Sequence, residues 1–225
     1  MTAAVQPFND GSLDPPVRGF LHRPEHGSGG GLVLAHGAGS NSNSPLLITV
    51  ACAFTSVGLT ALRCDLPFRQ TRSYGPPRPG GAERDRDGLR NAVAALKKLG
   101  CGPIVLGGHS YGGRQATMLC AGEPDLVAGL LLLSYPLHPP RKPEQLRVQH
   151  LPQLQVPALF VHGTRDPFGS IEEMEAALKM IPAKTELLRV EGAGHDLGFK
   201  AKAMPEELVG GVVQAFQSFF GTMNP

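Results

Sequence analysis

Neither a basic tail nor an acidic block interrupts this sequence, and its net charge is only +2 over 225 residues. So small and mixed a charge lacks the electrostatic footprint of a nucleic-acid binder. No apolar run is much longer than the four leucines at 130–133, whereas a membrane span needs about 20 residues. The opening MTAAVQPFNDGSLDPP has neither a charged n-region nor an apolar h-region, so no signal peptide is expected. The four cysteines, Cys52, Cys64, Cys101 and Cys120, show no CxxC spacing. They read as buried free thiols in a reducing compartment, with the cytoplasm as the expected location. No acidic cluster accompanies the eight histidines, so no metal site is expected. The glycine-rich GSGGG precedes an apolar run instead of following one. It is a turn, not a phosphate loop, and no dinucleotide cofactor is implied.

What is present is a regular series of short apolar runs, punctuated by 29 glycines and 21 prolines. Strands are expected at 17–22, 32–35, 59–63, 104–106, 129–133, 158–162 and 187–190. Helical spacing covers 45–57, 83–99, 114–121, 171–180 and 205–220. The strands are continuous in apolar character, as they are when helices cover both faces. The alternation predicts a mostly parallel α/β sheet with right-handed crossovers. With no repeat and no linker, residues 1–225 read as a single domain.

Residues 106–113 read LGGHSYGG. Gly108-His109-Ser110-Tyr111-Gly112 fits G-x-S-x-G, in which a serine occupies a strained strand-to-helix turn too crowded for neighbouring side chains. The bland alternative is a glycine-rich turn without chemistry, but an expected strand precedes the motif and an expected helix follows it. Two further residues stand beyond expected strand ends, in the order serine, acid, histidine. Asp166 lies in GTRDP and His195 in GAGHD. Taken singly, they could be an Asx-turn and a solvated loop histidine. Asp196 is a second-choice acid or a loop cap, because adjacent side chains diverge.

These stretches, with HGAG at 36–39, resemble the α/β-hydrolase superfamily over nearly the whole chain from about residue 32. LRCDLPFRQ, SYPLHPP and GTRDPFG resemble more narrowly the small dienelactone-hydrolase-like group, in the branch related to a regulatory subunit of the NSL complex. The resemblance implies an α/β-hydrolase fold without a full cap domain and a serine esterase-like activity needing no cofactor. It makes Ser110 the nucleophile, His195 the general base and acid, and Asp166 the residue orienting the imidazole. The oxyanion hole would come from the backbone of Tyr111 and Ala38, with Gly39 as neighbour. His36 would brace the HGAG turn, and His109 would point away from the cleft as a structural residue.

The long proline- and arginine-rich stretch at 65–87 begins at a strand end and can overhang the serine. Arg69 and Arg72 are expected to face the cleft and favour an anionic group. The segment 135–155 is too short for a cap, so Leu137, His138 and Phe168 are expected to wall an open cleft. The reaction expected is cleavage of a small carboxylic ester, lactone or thioester through an acyl-enzyme. An acyltransferase using the same residues, or a non-catalytic scaffold of the same fold, is the alternative. The partner is a small-molecule substrate, and the sequence leaves the oligomeric state open.

Overall fold

The computed structural model describes residues 4–198 and 206–221. Eight strands form one sheet in the order β1-β2-β4-β3-β5-β6-β7-β8. These are β1 (Ala4–Asp10), β2 (Val17–Arg23), β3 (Gly31–Ala35), β4 (Thr60–Cys64), β5 (Ile104–His109), β6 (Gly129–Leu133), β7 (Ala158–Gly163) and β8 (Thr185–Val190). The pairings among β3 to β8 are parallel, while β2 pairs antiparallel with both β1 and β4 and so alone runs against the other strands. β1 was not anticipated. Most of its side chains are exposed, so it carries no apolar signature.

The leucine strand explains why the central strands do not alternate. Leu130 and Leu132 join the core on one face, and Leu131 and Leu133 join the core on the other. α3 (Ala82–Lys98), α4 (Tyr111–Gly122) and α5 (Ile171–Leu178) supply the first core. α1 (Pro45–Ser56) and α6 (Glu206–Phe220) supply the second, where Phe54 meets Phe216 edge-on at 4.7 Å between ring centroids. Ser44 caps α1 by accepting from Leu47 N, with proline in the first turn. α5 opens on a full capping box between Ser170 and Glu173. Both ends are stabilised by pairing amides that the helix leaves unsatisfied.

The stretch expected as one long loop after β4 is divided by a short helix, α2 (Pro67–Thr71). The segment after β6 holds only a 3-10 turn at Leu151–Gln153, so among the described residues no cap covers the carboxyl edge of the sheet. All four cysteines are free, and Cys52 is exposed. Cys64 lies within the sheet, where burial pushes its thiol up to about 12. Among the described residues, no helix is long and apolar enough to cross a membrane, and no group of three His, Cys, Asp or Glu could hold a metal ion.

Buried His22 and half-buried His150 are expected to make the fold acid-sensitive. His22 Nε2 accepts from Arg63 Nε at 2.8 Å; burial, then the Arg63 charge, pushes this imidazole down to about 4. His150 lies 2.8 Å from the Thr117 hydroxyl; burial, then the Arg114 charge, lowers it to about 4 as well. Each ring would take up its proton near 6.5 when unfolded. Between those values the unfolded chain binds more protons, so this stability is complete above about pH 6.5 and is lost as pH falls towards 4. The urea midpoint is therefore expected to drop over that window, and to drop less in His150→Gln. An equal slope in the two proteins would refute the assignment.

Candidate active site

β5 ends at His109, and the chain turns into α4 through Ser110, whose backbone sits at φ 52° and ψ −114°. A left-handed non-glycine residue of this kind costs on the order of 1–3 kcal/mol and persists only where its surroundings impose it. Ser110 N donates to Leu133 O at 2.9 Å, and Arg114 N donates to Ser110 O at 2.9 Å. The flanking glycines are sterically required. A Cβ on Gly108 would lie 2.8 Å from Ala35 O, and one on Gly112 would lie 2.7 Å from His36 O.

Ser110, His195 and Asp166 meet in one hydrogen-bonded chain. The Ser110 hydroxyl lies 2.8 Å from His195 Nε2. His195 Nδ1 lies 2.8 and 3.0 Å from the two Asp166 oxygens. A carboxylate only accepts, so Nδ1 carries the proton and Nε2 is left to accept from the serine hydroxyl. The Asp166 side chain is fully buried and also accepts from Phe168 N at 2.8 Å. Such a chain can draw the serine proton away as its oxygen attacks a carbon.

Backbone pairing sets the registry of the acid and the histidine. Thr164 N donates to Val190 O at 3.0 Å, and Arg165 N donates to Ala193 O at 2.9 Å. The two loops are zipped so closely that a Cβ on Gly163 would lie 2.3 Å from Ala193 O. Phe168 stacks on the His195 ring, with centroids 4.0 Å apart. His109, expected to point away from the cleft, instead lines it. Its Nε2 donates to His195 O at 2.8 Å, and burial above all pushes its ring down to about 4. Its role is structural, but directed at the histidine loop. Asp196 accepts from Gly198 N at 3.1 Å, the loop-cap alternative.

Ala38, Gly39 and Tyr111 line the same cavity as Ser110. The Tyr111 N–H opens α4 and has no intrahelical acceptor. Beneath the 37–40 turn, His36 Nδ1 donates to Gly37 O at 2.8 Å, and its Nε2 accepts from Leu66 N at 3.1 Å. His36 thus braces the turn as a neutral ring, held below its ordinary pKa mainly by burial. The Tyr111 hydroxyl donates to buried Asp85 Oδ2 at 2.7 Å.

Several expected substrate contacts need correction. Arg69 is buried, and its guanidinium is committed to four backbone carbonyls: Ser40 at 2.7 Å, Ala38 at 2.9 Å, Gly75 at 2.8 Å and Arg72 at 3.0 Å. It braces the turn beside the serine and has little left to offer an anion. Arg72 points outward to Pro76 O at 3.2 Å. Leu137 is buried in the core. His138 is turned towards Glu173 Oε2 at 3.2 Å and Pro139 O at 2.8 Å. Of the five residues, only Phe168 lines the cavity, which measures about 900 Å³. The chain turns at Ser134 (φ 50°), and this directs Pro136 into the cleft and Leu137 beneath it. Arg114 and Arg147 also line the cleft and were missed. Only the spacing of Arg114, four residues past the serine on a helix, offered a signal.

The family described as alpha/beta hydrolase domain matches residues 29–219. Among solved structures, a dienelactone hydrolase from Anabaena variabilis is similar over all of both chains, with 20% identity and a TM-score of 0.77. An alpha-beta serine hydrolase homologue from Coxiella burnetii is similar over 96% of this chain and 98% of its own, with 19% identity and a TM-score of 0.70. These likenesses show the fold. Lipase LipV of Mycobacterium tuberculosis is 46% identical over 56 residues, which span 24% of this chain and 22% of the lipase.

Arg69→Met should keep the packing but strand four carbonyls. Urea unfolding is expected to show a loss of about 2 kcal/mol or more, with faster amide exchange over residues 38–40. Unchanged stability and exchange would show that Arg69 does not brace the turn. Gly112→Ala should also destabilise, since its new methyl meets backbone that cannot rotate away.

Proposed function

The chain belongs to the alpha/beta hydrolase family, and from that premise we propose that it is a serine hydrolase cleaving a small carboxylic ester, lactone or thioester through an acyl-enzyme. One observation carries the reading: the serine at the strained turn is hydrogen-bonded to an imidazole whose other nitrogen is held by a buried carboxylate. In this mechanism Ser110 Oγ attacks the substrate carbonyl while His195 Nε2 takes its proton. Asp166 keeps the imidazole in the productive tautomer and stabilises the imidazolium. The backbone N–H groups of Tyr111 and Ala38 donate to the developing oxyanion, with Gly39 beside them. His195 then returns the proton to the leaving group, and water repeats the sequence to release the acid.

A sheet edge without a cap among the described residues supports a small or extended substrate over a long lipid chain. Kinship with the NSL-related branch rests on LRCDLPFRQ, SYPLHPP and GTRDPFG. Four free thiols are consistent with a cytoplasmic, reducing setting.

A fluorophosphonate probe should label Ser110 of the wild type and leave Ser110→Ala unlabelled. The same substitution should lower kcat/KM on p-nitrophenyl esters by about 10³-fold or more. Labelling that survives in Ser110→Ala would refute the assignment. Product analysis in the presence of competing alcohols separates hydrolysis from acyl transfer.

A further inference from the structure

Two acids are buried among the described residues, Asp166 and Asp85. The proposed mechanism uses the first and leaves the second without a role. Asp85 stands in the first turn of α3, and each of its oxygens takes a hydrogen bond from a different element. Oδ1 accepts from Phe68 N on α2 at 3.0 Å, and Oδ2 accepts from the Tyr111 hydroxyl on α4 at 2.7 Å. Its neighbour Arg86 donates elsewhere, to Gln115 Oε1 at 3.1 Å. Burial holds the Asp85 carboxyl above the ordinary carboxylate pKa, against the opposing pull of its two hydrogen bonds and of the Arg86 charge. A carboxylate held away from water costs stability unless donors face it. What Asp85 contributes must therefore be sought in the two donors it joins.

Each donor leads to one of the two amides proposed to hold the oxyanion. Tyr111 carries the first of them on its own backbone, directly after Ser110. Phe68 leads to the second, at Ala38, by way of α2. That helix has no side-chain cap at Leu66, and the Asp85 carboxylate does for Phe68 N what a capping side chain would do. The next residue, Arg69, donates to Ala38 O at 2.9 Å and to Ser40 O at 2.7 Å. The Phe68 ring meets His36 at 5.5 Å and Tyr111 at 5.8 Å between centroids, edge-on to both. α3 lies against the start of α2 so closely that a Cβ on Gly88 would stand 2.6 Å from Pro67 Cδ. We propose that Asp85 is a positioning residue for the oxyanion hole, tying α2 to the first residue of α4 and so setting the spacing of the Ala38 and Tyr111 amides. This rests on the hydrolase reading and adds a residue to it. Asp85 does not line the cavity of Ser110, so it acts only through these two segments. Displacing a group by about 1 Å can cost about 10²-fold in rate. Acylation and deacylation both pass through a tetrahedral oxyanion, so the loss falls on kcat whichever step is slow. The oxyanion is absent from the bound ester, so KM is spared.

The test combines turnover of p-nitrophenyl butyrate with amide exchange. Tyr111→Phe deletes one oxygen and keeps the ring. It should lower kcat about 10- to 100-fold and change KM by less than about threefold. Asp85→Ala should lose at least as much, and adding Tyr111→Phe to it should cost less than about twofold more, because both act along one route. Asp85→Asn can still accept from Phe68 N and can donate to the Tyr111 oxygen, and should restore kcat to within about fivefold of the wild type. Exchange over residues 38–40 and 110–114 should quicken in Tyr111→Phe and Asp85→Ala. Should Asp85→Ala fail to fold, Tyr111→Phe carries the test alone. An active wild type beside a Tyr111→Phe with the same kcat, or with only KM changed, would overturn the positioning role and leave the hydrolase reading intact. A wild type with neither ester turnover nor fluorophosphonate labelling would remove the hydrolase reading. Faster exchange in the variants would then still uphold the tie between α2 and α4, and unchanged exchange would overturn it.

Discussion

The left-handed turn at Ser110 is the constraint around which the cleft is built. A non-glycine residue at φ 52° stays there only because β5 ends abruptly, α4 starts at once and the backbone on both sides is packed to contact. The glycines at 108 and 112 create that room, since neither position has space for a methyl group. In return the turn lifts the hydroxyl above the sheet edge and sets Tyr111, the first residue of α4, on the same cavity.

The partners of the hydroxyl are placed by a different device. Asp166 and His195 stand on loops after adjacent parallel strands, β7 and β8, and backbone hydrogen bonds join the loops before any side chain is involved. Phe168 against one face of the imidazole and His109 beneath the loop backbone restrict what movement remains. The serine–imidazole distance of 2.8 Å is therefore set by backbone packing, with side-chain attraction acting on a geometry already formed. The turn at 37–40 is instead held by side chains, Arg69 and His36 acting on its carbonyls.

The arginines show how residue type and role separate. Arg69 and Arg114 carry the same group within reach of the same cleft. The carbonyls of the 38–40 turn, Arg72 and Gly75 saturate one of them, whereas the other keeps a buried nitrogen without a partner. What separates the two is the set of acceptors the fold places around each guanidinium.

By itself the sequence determined the alternation of elements, the parallel sheet and the positions of Ser110, Asp166 and His195. These depend on local properties: apolar runs, capping residues, glycines at a crowded turn and the order of loops along the chain. The exposed strand β1 escaped because a solvated edge has no hydrophobic pattern, and the short helix α2 escaped because five residues barely exceed one turn. Only the tertiary structure decided which of Leu137 and Pro136 enters the cleft, that His109 holds the histidine loop, and that Arg114 and Arg147 face the cavity while Arg69 turns to the backbone. Each of those outcomes depends on contacts between segments distant in the chain, and no local periodicity encodes where such segments meet.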